Sequence, residues 1–235
     1  MIELPVIGEN KSYRVSPSKI IALGLNYHDH IRESVSAKAR GITDRIPSEP
    51  VLFAKTPNVL IGPGEPIVIP RFLNDYEFKT PRIDYEAELA LIIGKDGKNI
   101  PADEVESYIL GYSCMNDVSQ RNFQNHDVSG WFRGKSLDTF GPIGPVIVPP
   151  HRIGDPQNLR IQCRRNGKVV QDSNTRQMIF SIRDIIVFIS RHFTVKRGDI
   201  IMTGTPQGVG PIQAGDVIEV EIEKIGVLQN PVVAE

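Results

Sequence analysis

The sequence lacks most of the features that assign a chain quickly to a partner class. Only two cysteines occur among 235 residues, Cys114 and Cys163, in no Cys-x-x-Cys arrangement. Neither a disulfide framework nor a thiolate zinc site is expected. Both cysteines sit in apolar, strand-like text and read as small buried side chains, with a reducing cytoplasm as the simplest compartment. An excess of charge is lacking too. With 27 Lys+Arg against 28 Asp+Glu the net charge is −1, and no basic run with interleaved aromatics suggests nucleic acid. No apolar stretch approaches the roughly 20 residues that span a bilayer, so no membrane partner is expected. Met1-Ile2-Glu3-Leu4-Pro5 lacks the basic and apolar regions of a signal peptide. Repeats, a Gly-Lys-Ser/Thr phosphate loop and Gly-x-Gly-x-x-Gly are also missing, so neither a Walker nor a Rossmann cofactor site is supported.

Glycine and proline, by contrast, are spread through the chain (20 and 18 residues) and divide it into many short segments. That punctuation predicts a strand-rich α+β domain. Strands are expected over Ser18–Leu25, Pro50–Lys55, Asp84–Gly94, Gly111–Val118 and Asp199–Met202. Leu159–Gln171 reads as a hairpin turning at Asn166-Gly167. Tyr27–Ser34 reads as a short polar helix and Ala102–Leu110 as another. Ser181–Phe193 is the clearest helix, with Ser181 and Asp184 spaced as a capping box and an apolar stripe through Ile182, Ile185, Ile186, Ile189 and Phe193. Asp216–Glu223 alternates strictly, and Glu219, Glu221 and Glu223 read as a solvated face.

Glu86 and Glu88 carry a stronger message. Two residues apart in a strand they share one face, their Cα atoms roughly 6.5–7 Å apart. Apolar residues on both faces of this strand make it interior, so the two carboxylates repel each other unless a cation neutralises them. An exposed polar patch at the strand end is the plainer alternative. Asp117, at the end of the next apolar strand, adds a third carboxylate if those strands are neighbours. Three carboxylates without Cys or His form a hard-oxygen set that favours Mg²⁺, Mn²⁺ or Ca²⁺ over Zn²⁺. His30 and Glu33, three apart in a helix, could orient and activate an imidazole as general base, or form an ordinary surface pair. Lys135 precedes a rigid Gly/Pro loop. Thr203 to Gly210 is glycine-rich, suited to close backbone approach to an anion or to a plain turn.

Taken in order, these motifs resemble the fumarylacetoacetate hydrolase family from about Ile20 to Val233. The pattern Glu-x-Glu followed by Asp appears as Glu86, Glu88 and Asp117, the lysine motif as Gly134-Lys135-Ser136 with Asp138-Thr139-Phe140, and Thr-Gly-Thr-Pro-x-Gly-Val-Gly as Thr203–Gly210. Ser119 to Gln124 resembles the substrate-side Arg and Gln positions, and the lid-helix His and Glu match His30 and Glu33. The resemblance implies a mixed β-sandwich roll, usually a homodimer, with Mg²⁺ or a similar ion (Mn²⁺, Ca²⁺) on Glu86, Glu88 and Asp117. It implies a small 2-oxo acid substrate contacted by Arg121, Gln124 and Thr205, with His30, Glu33 and Lys135 as catalytic groups. Residues 1–50 are then an N-terminal segment with the lid helix, the lid running on through Val35–Ser48, and 51–235 the catalytic domain. Members cleave acylpyruvates, decarboxylate oxaloacetate-like acids, or isomerise enol acids. C–C hydrolysis or decarboxylation narrowly leads isomerisation or tautomerisation, and a non-catalytic binding protein on the same fold is a further alternative.

Overall fold

The structure, a computed structural model, describes residues 2–33, 46–79, 81–128 and 131–235, with the side chains of 31–33 outside that description. Its centre is a sheet of seven strands: β3 (Ile20–Gly24), β4 (Val51–Lys55), β5 (Leu60–Ile61), β8 (Ala87–Ile93), β9 (Ile109–Asn116), β11 (Gly141–Val148) and β14 (Ile200–Met202). Their order is β4-β3-β14-β8-β9-β11-β5. β14 runs parallel to β3 and antiparallel to β8, so the sheet is mixed. Strands from either side of residue 50 share it, since β3 pairs with β4 from Ile20↔Lys55 to Gly24↔Val51.

β8 lies mid-sheet and is buried along its whole length. Leu89, Leu91 and Ile93 enter the larger core, Ala90 and Ile92 the smaller one. A second sheet, of β6 (Ile67–Ile69), β12 (Arg160–Arg165), β13 (Lys168–Asn174), β16 (Val217–Ile222) and β17 (Gly226–Ala234), supplies Ile161, Val220 and Leu228 to the larger core. The helix Ile182–His192 adds Ile182, Ile185, Ile186 and Ile189. The hairpin of β1 (Ile2–Pro5) and β2 (Ser12–Val15) supplies Leu4 and Val15 to the smaller core. The result is the strand-rich α+β domain that the punctuation predicts, in the sandwich form that the family resemblance implies.

Local chemistry explains most elements. Asn166 and Gly167 turn the β12–β13 hairpin with φ of 53° and 76°, the two positive values a type I′ turn needs. Ser181 caps the long helix in a reciprocal capping box with Asp184. Two expectations change. Ala102–Leu110 contains only a 3₁₀ turn, Val105–Tyr108, because Ile109 is taken into β9 opposite Ile93. Sheet pairing there outweighs a short helix pattern. The single strand expected over Asp84–Gly94 is interrupted at Glu86. Its first part, β7 (Ile83–Tyr85), leaves to pair with β10 (Ser119–Gln120) and β15 (Gly210–Pro211). At the break the Glu86 amide donates to Asn116 Oδ1 at 2.9 Å instead of a ladder partner.

Candidate functional site

The site forms where β7 and β8 part company. Glu88 lies in β8 opposite Met115, and Asp117 follows the end of β9, its amide donating to Glu86 O at 2.8 Å. Glu86, Glu88 and Asp117 are all buried, and one carboxylate oxygen of each lies within 4.8 Å of the others. The neighbouring-strand condition on Asp117 is thus met. Burying three carboxylates costs several kcal/mol each unless charge and hydrogen bonds compensate.

The compensation is visible. Lys135 Nζ bridges Glu86 Oε2 at 2.7 Å and Asp117 Oδ2 at 2.5 Å. Lys55 Nζ holds the other oxygen of Asp117 at 2.6 Å. Arg121 pairs with Glu86 Oε1 through Nη2 and with Asp84 Oδ2 through Nε at 2.7 Å, while Nη1 donates to Gln124 Oε1 at 2.7 Å. Among the described residues no cation pairs with Glu88; its Oε2 accepts from the Gly204 amide at 2.7 Å. Gly204 is required there twice over. Its φ is +93°, and a Cβ would stand 2.9 Å from Asn26 Cβ. The glycine-rich loop therefore does approach an acidic group closely, and that group is the carboxyl of the protein's own Glu88.

These environments drive the carboxyls apart. Burial pushes Glu86 up, but Arg121, Lys135 and His30 outweigh it and hold Glu86 far below the usual carboxylate range. Burial pushes Glu88 well above that range, and Asp117 and Glu86 add to the rise. Burial works against charge on both lysines: Lys55 is lowered despite Asp117, whereas Asp117 and Glu86 carry Lys135 above its ordinary value. Burial raises the Tyr27 phenol, with Glu88 contributing. An all-oxygen donor set, buried, at this spacing and with one member short of positive charge, fits a hard divalent ion.

His30, Glu86, Glu88, Arg121, Gln124, Lys135 and Thr205 line one cavity of about 20 Å³, together with Leu23, Leu25, Phe53 and Trp131. Asp117 sits behind it, fully buried against the two lysines. His30 belongs to the helix His28–Glu33, which places the expected partner Glu33 by backbone, but the Glu33 side chain is outside the described residues. Of the segment Val35–Ser48, expected to belong to a lid, residues 35–45 also fall outside them. Arg121 and Gln124 come from the helix Arg121–His126, Lys135 from the helix Phe132–Lys135. Gly134 lets the two approach, since a Cβ there would be 2.8 Å from both Gln120 O and Gln124 N.

Sequence reasoning missed four groups. Lys55 ends an apolar strand, and a lysine closing Val51-Leu52-Phe53-Ala54 was the available signal. Gln171 accepts from the Ala87 amide at 3.0 Å and donates to Thr205 Oγ1 at 2.9 Å, tying the second sheet to the site. Asp84 clamps Arg121, and Asn116 holds the Glu86 backbone. Nothing in their local spacing marked these three.

Fold and site together define a class: a mixed-sheet sandwich with three carboxylates gathered where a strand breaks. The chain matches the fumarylacetoacetate (FAA) hydrolase C-terminal family over residues 19–233 and belongs to that family. It is 40% identical over 224 residues to a mitochondrial oxaloacetate tautomerase of Rattus norvegicus, covering 92% of this chain and 67% of that one. In structure it is similar to a 5-carboxymethyl-2-hydroxymuconate delta-isomerase from Mycobacterium smegmatis (TM-score 0.79, 38% identity, 94% of this chain and 78% of that one). It is also similar to a fumarylpyruvate hydrolase from Pseudomonas aeruginosa in complex with Mn²⁺ and pyruvate (TM-score 0.84, 28% identity, 100% and 96%).

Proposed function

We propose that this protein is a divalent-cation-dependent enzyme that interconverts keto and enol forms of a small 2-oxo dicarboxylic acid of the oxaloacetate type. The observation that carries the reading is the buried trio Glu86, Glu88 and Asp117 with the Lys135 ammonium against two of its members. The trio would hold the ion, Mg²⁺ or Mn²⁺, whose Lewis acidity favours negative charge on a substrate's C2 oxygen. Arg121 and Gln124 bind the 2-oxo acid's carboxylate, and Thr205, fixed by Gln171, is a further polar contact. Lys135 places a second positive charge beside the C2 oxygen, where negative charge develops as the C3 proton leaves. Leu23, Leu25, Phe53 and Trp131 keep bulk water away. The tautomerase named among the relatives supports this choice. So does the chemistry, because tautomerisation requires only proton transfer.

Acylpyruvate-type C–C hydrolysis is the second reading. It is favoured by the similarity to a fumarylpyruvate hydrolase and by His30 in the cavity, where His30 with Glu33 would activate water. Purified protein with Mg²⁺ or Mn²⁺, assayed on enol-oxaloacetate, oxaloacetate and acylpyruvates with products identified, separates the readings. The first expects rapid enol–keto exchange without cleavage; cleavage products from acylpyruvates at a comparable rate would replace it with the second. His30→Ala should cost about 10²–10⁴-fold in any hydrolysis and less in tautomerisation. We also propose a cytoplasmic homodimer, on the two free buried thiols and the family resemblance. Light scattering at 26.2 kDa would contradict the dimer.

A further inference from the structure

We propose that Lys135 is a displaceable counter-charge. Its ammonium and a divalent cation compete for Glu86 and Asp117, and the cation's binding turns Lys135 toward the substrate while Lys55 stays in place. The proposal rests on the reading that the trio takes a divalent ion.

The oxygens of the trio show why competition arises. Glu86 Oε1 belongs to Arg121 and Asp117 Oδ1 to Lys55. Glu88 Oε2 accepts from the Gly204 amide, so the oxygens left for a shared ion are Glu86 Oε2, Asp117 Oδ2 and Glu88 Oε1, and the first two are the pair Lys135 bridges. An oxygen has lone pairs for two partners. Two cations on the same two oxygens nevertheless stand only on the order of 4 Å apart, where like charges with little water between them repel strongly. One of them has to yield.

The two lysines differ in how firmly they are held. Lys55 sits in the central sheet opposite Ile20, and its ammonium also reaches Val118 O at 3.4 Å. It holds Asp117 Oδ1, the oxygen that Lys135 does not contact. Lys135 ends a four-residue helix whose backbone is fixed by the close approach at Gly134, so its freedom is in the side chain. A second seat is ready for it, because Nζ already lies 4.9 Å from the centroid of the Phe53 ring, and Phe53 lines the cavity. A cavity of about 20 Å³ has room for little more than one water, so a 2-oxo acid needs side chains to move. Turning Lys135 both frees the oxygens and brings its charge to the substrate.

The experiment uses Mn²⁺ alone and the full chain. Calorimetry should show that Lys135→Met, and Lys135→Gln as a second variant, bind Mn²⁺ about tenfold tighter than wild type or more. In the wild type, brief acylation read by mass spectrometry should label Lys135 at least several-fold faster when Mn²⁺ is present, with Lys55 unchanged. Mn²⁺ affinity that is unaltered or weakened in both variants would overturn the proposal. So would Lys135 labelling indifferent to Mn²⁺, which needs no variant to fold. Wild type that binds no Mn²⁺ would remove the metal reading itself, a different failure from normal binding without competition.

Discussion

Two Glu-x-Glu pairs, one where a strand breaks and one within a strand, have opposite fates. Glu86 and Glu88 are buried, with cations drawn from two helices and a glycine amide around them. Glu219 and Glu221 lie on β16, whose Ile218, Val220 and Ile222 fill the core on the other face. They share one partner, Arg164, through Nε at 3.0 Å and Nη1 at 2.5 Å, and their side chains are 21% and 41% exposed. The spacing is identical, so spacing does not make a metal site. What differs is the other face of the strand and what closes over the carboxylates. β8 is covered on both sides, and Glu88 at its start and Glu86 just before it stand where two sheets diverge and Asp117 comes across from β9.

The contrast can be broken or sharpened experimentally, starting with the largest effect. Glu88→Ala should lower kcat/KM by about 10³-fold or more, because Lewis-acid stabilisation is worth several kcal/mol. Glu221→Ala should stay within about twofold of wild type, as surface substitutions do. Similar losses in steady-state assays of the two variants would erase the distinction. Stability should divide the same way. Lys55→Met leaves Asp117 without one of its buried partners and should cost about 3–5 kcal/mol in denaturant titration. Arg164→Met should cost about 1 kcal/mol or less, because its pairs are open to solvent.

A smaller effect concerns pH, measured in chelator. The folded protein holds the proton on Glu88 beyond the usual carboxylate range, so it binds more protons than the unfolded chain as pH rises past the ordinary glutamate value. Stability contributed by neutral Glu88 is therefore complete below that value and lost as pH rises through the raised one. Glu88→Gln stays neutral throughout, so its melting temperature should gain on wild type with rising pH. A difference that stays flat across the range would show that Glu88 is charged in the fold. Glu221→Gln should show no comparable gain.

The sequence was legible where chemistry is local. The Asn166-Gly167 turn, the Ser181–Asp184 cap and the alternation in β16 each depend on neighbours in the chain, and each is found where expected. Glu86, Glu88 and Asp117 were legible as a set because strand geometry limits where they point. The break at Glu86 was not, since its cause is the pairing of β7 with β10 and β15, one of them more than a hundred residues away in sequence. Lys55 and Gln171 were missed for the same reason: Lys55 meets Asp117, 62 positions away, and Gln171 meets Ala87, 84 away. Lys135 would be a surface residue on composition alone; only the family motif singled it out, and its burial against two carboxylates gives that motif a physical meaning.

The central claim is that the trio is a cation site built to present an ion to a 2-oxo acid. Calorimetric titration of Mn²⁺ into wild type and Glu88→Ala, with and without oxalate as a mimic of pyruvate enolate, tests it most directly. The account predicts one ion per wild-type chain, tighter binding when oxalate is present, and no binding in Glu88→Ala. Stoichiometric Mn²⁺ in Glu88→Ala, or oxalate that leaves the wild-type affinity unchanged, would contradict it.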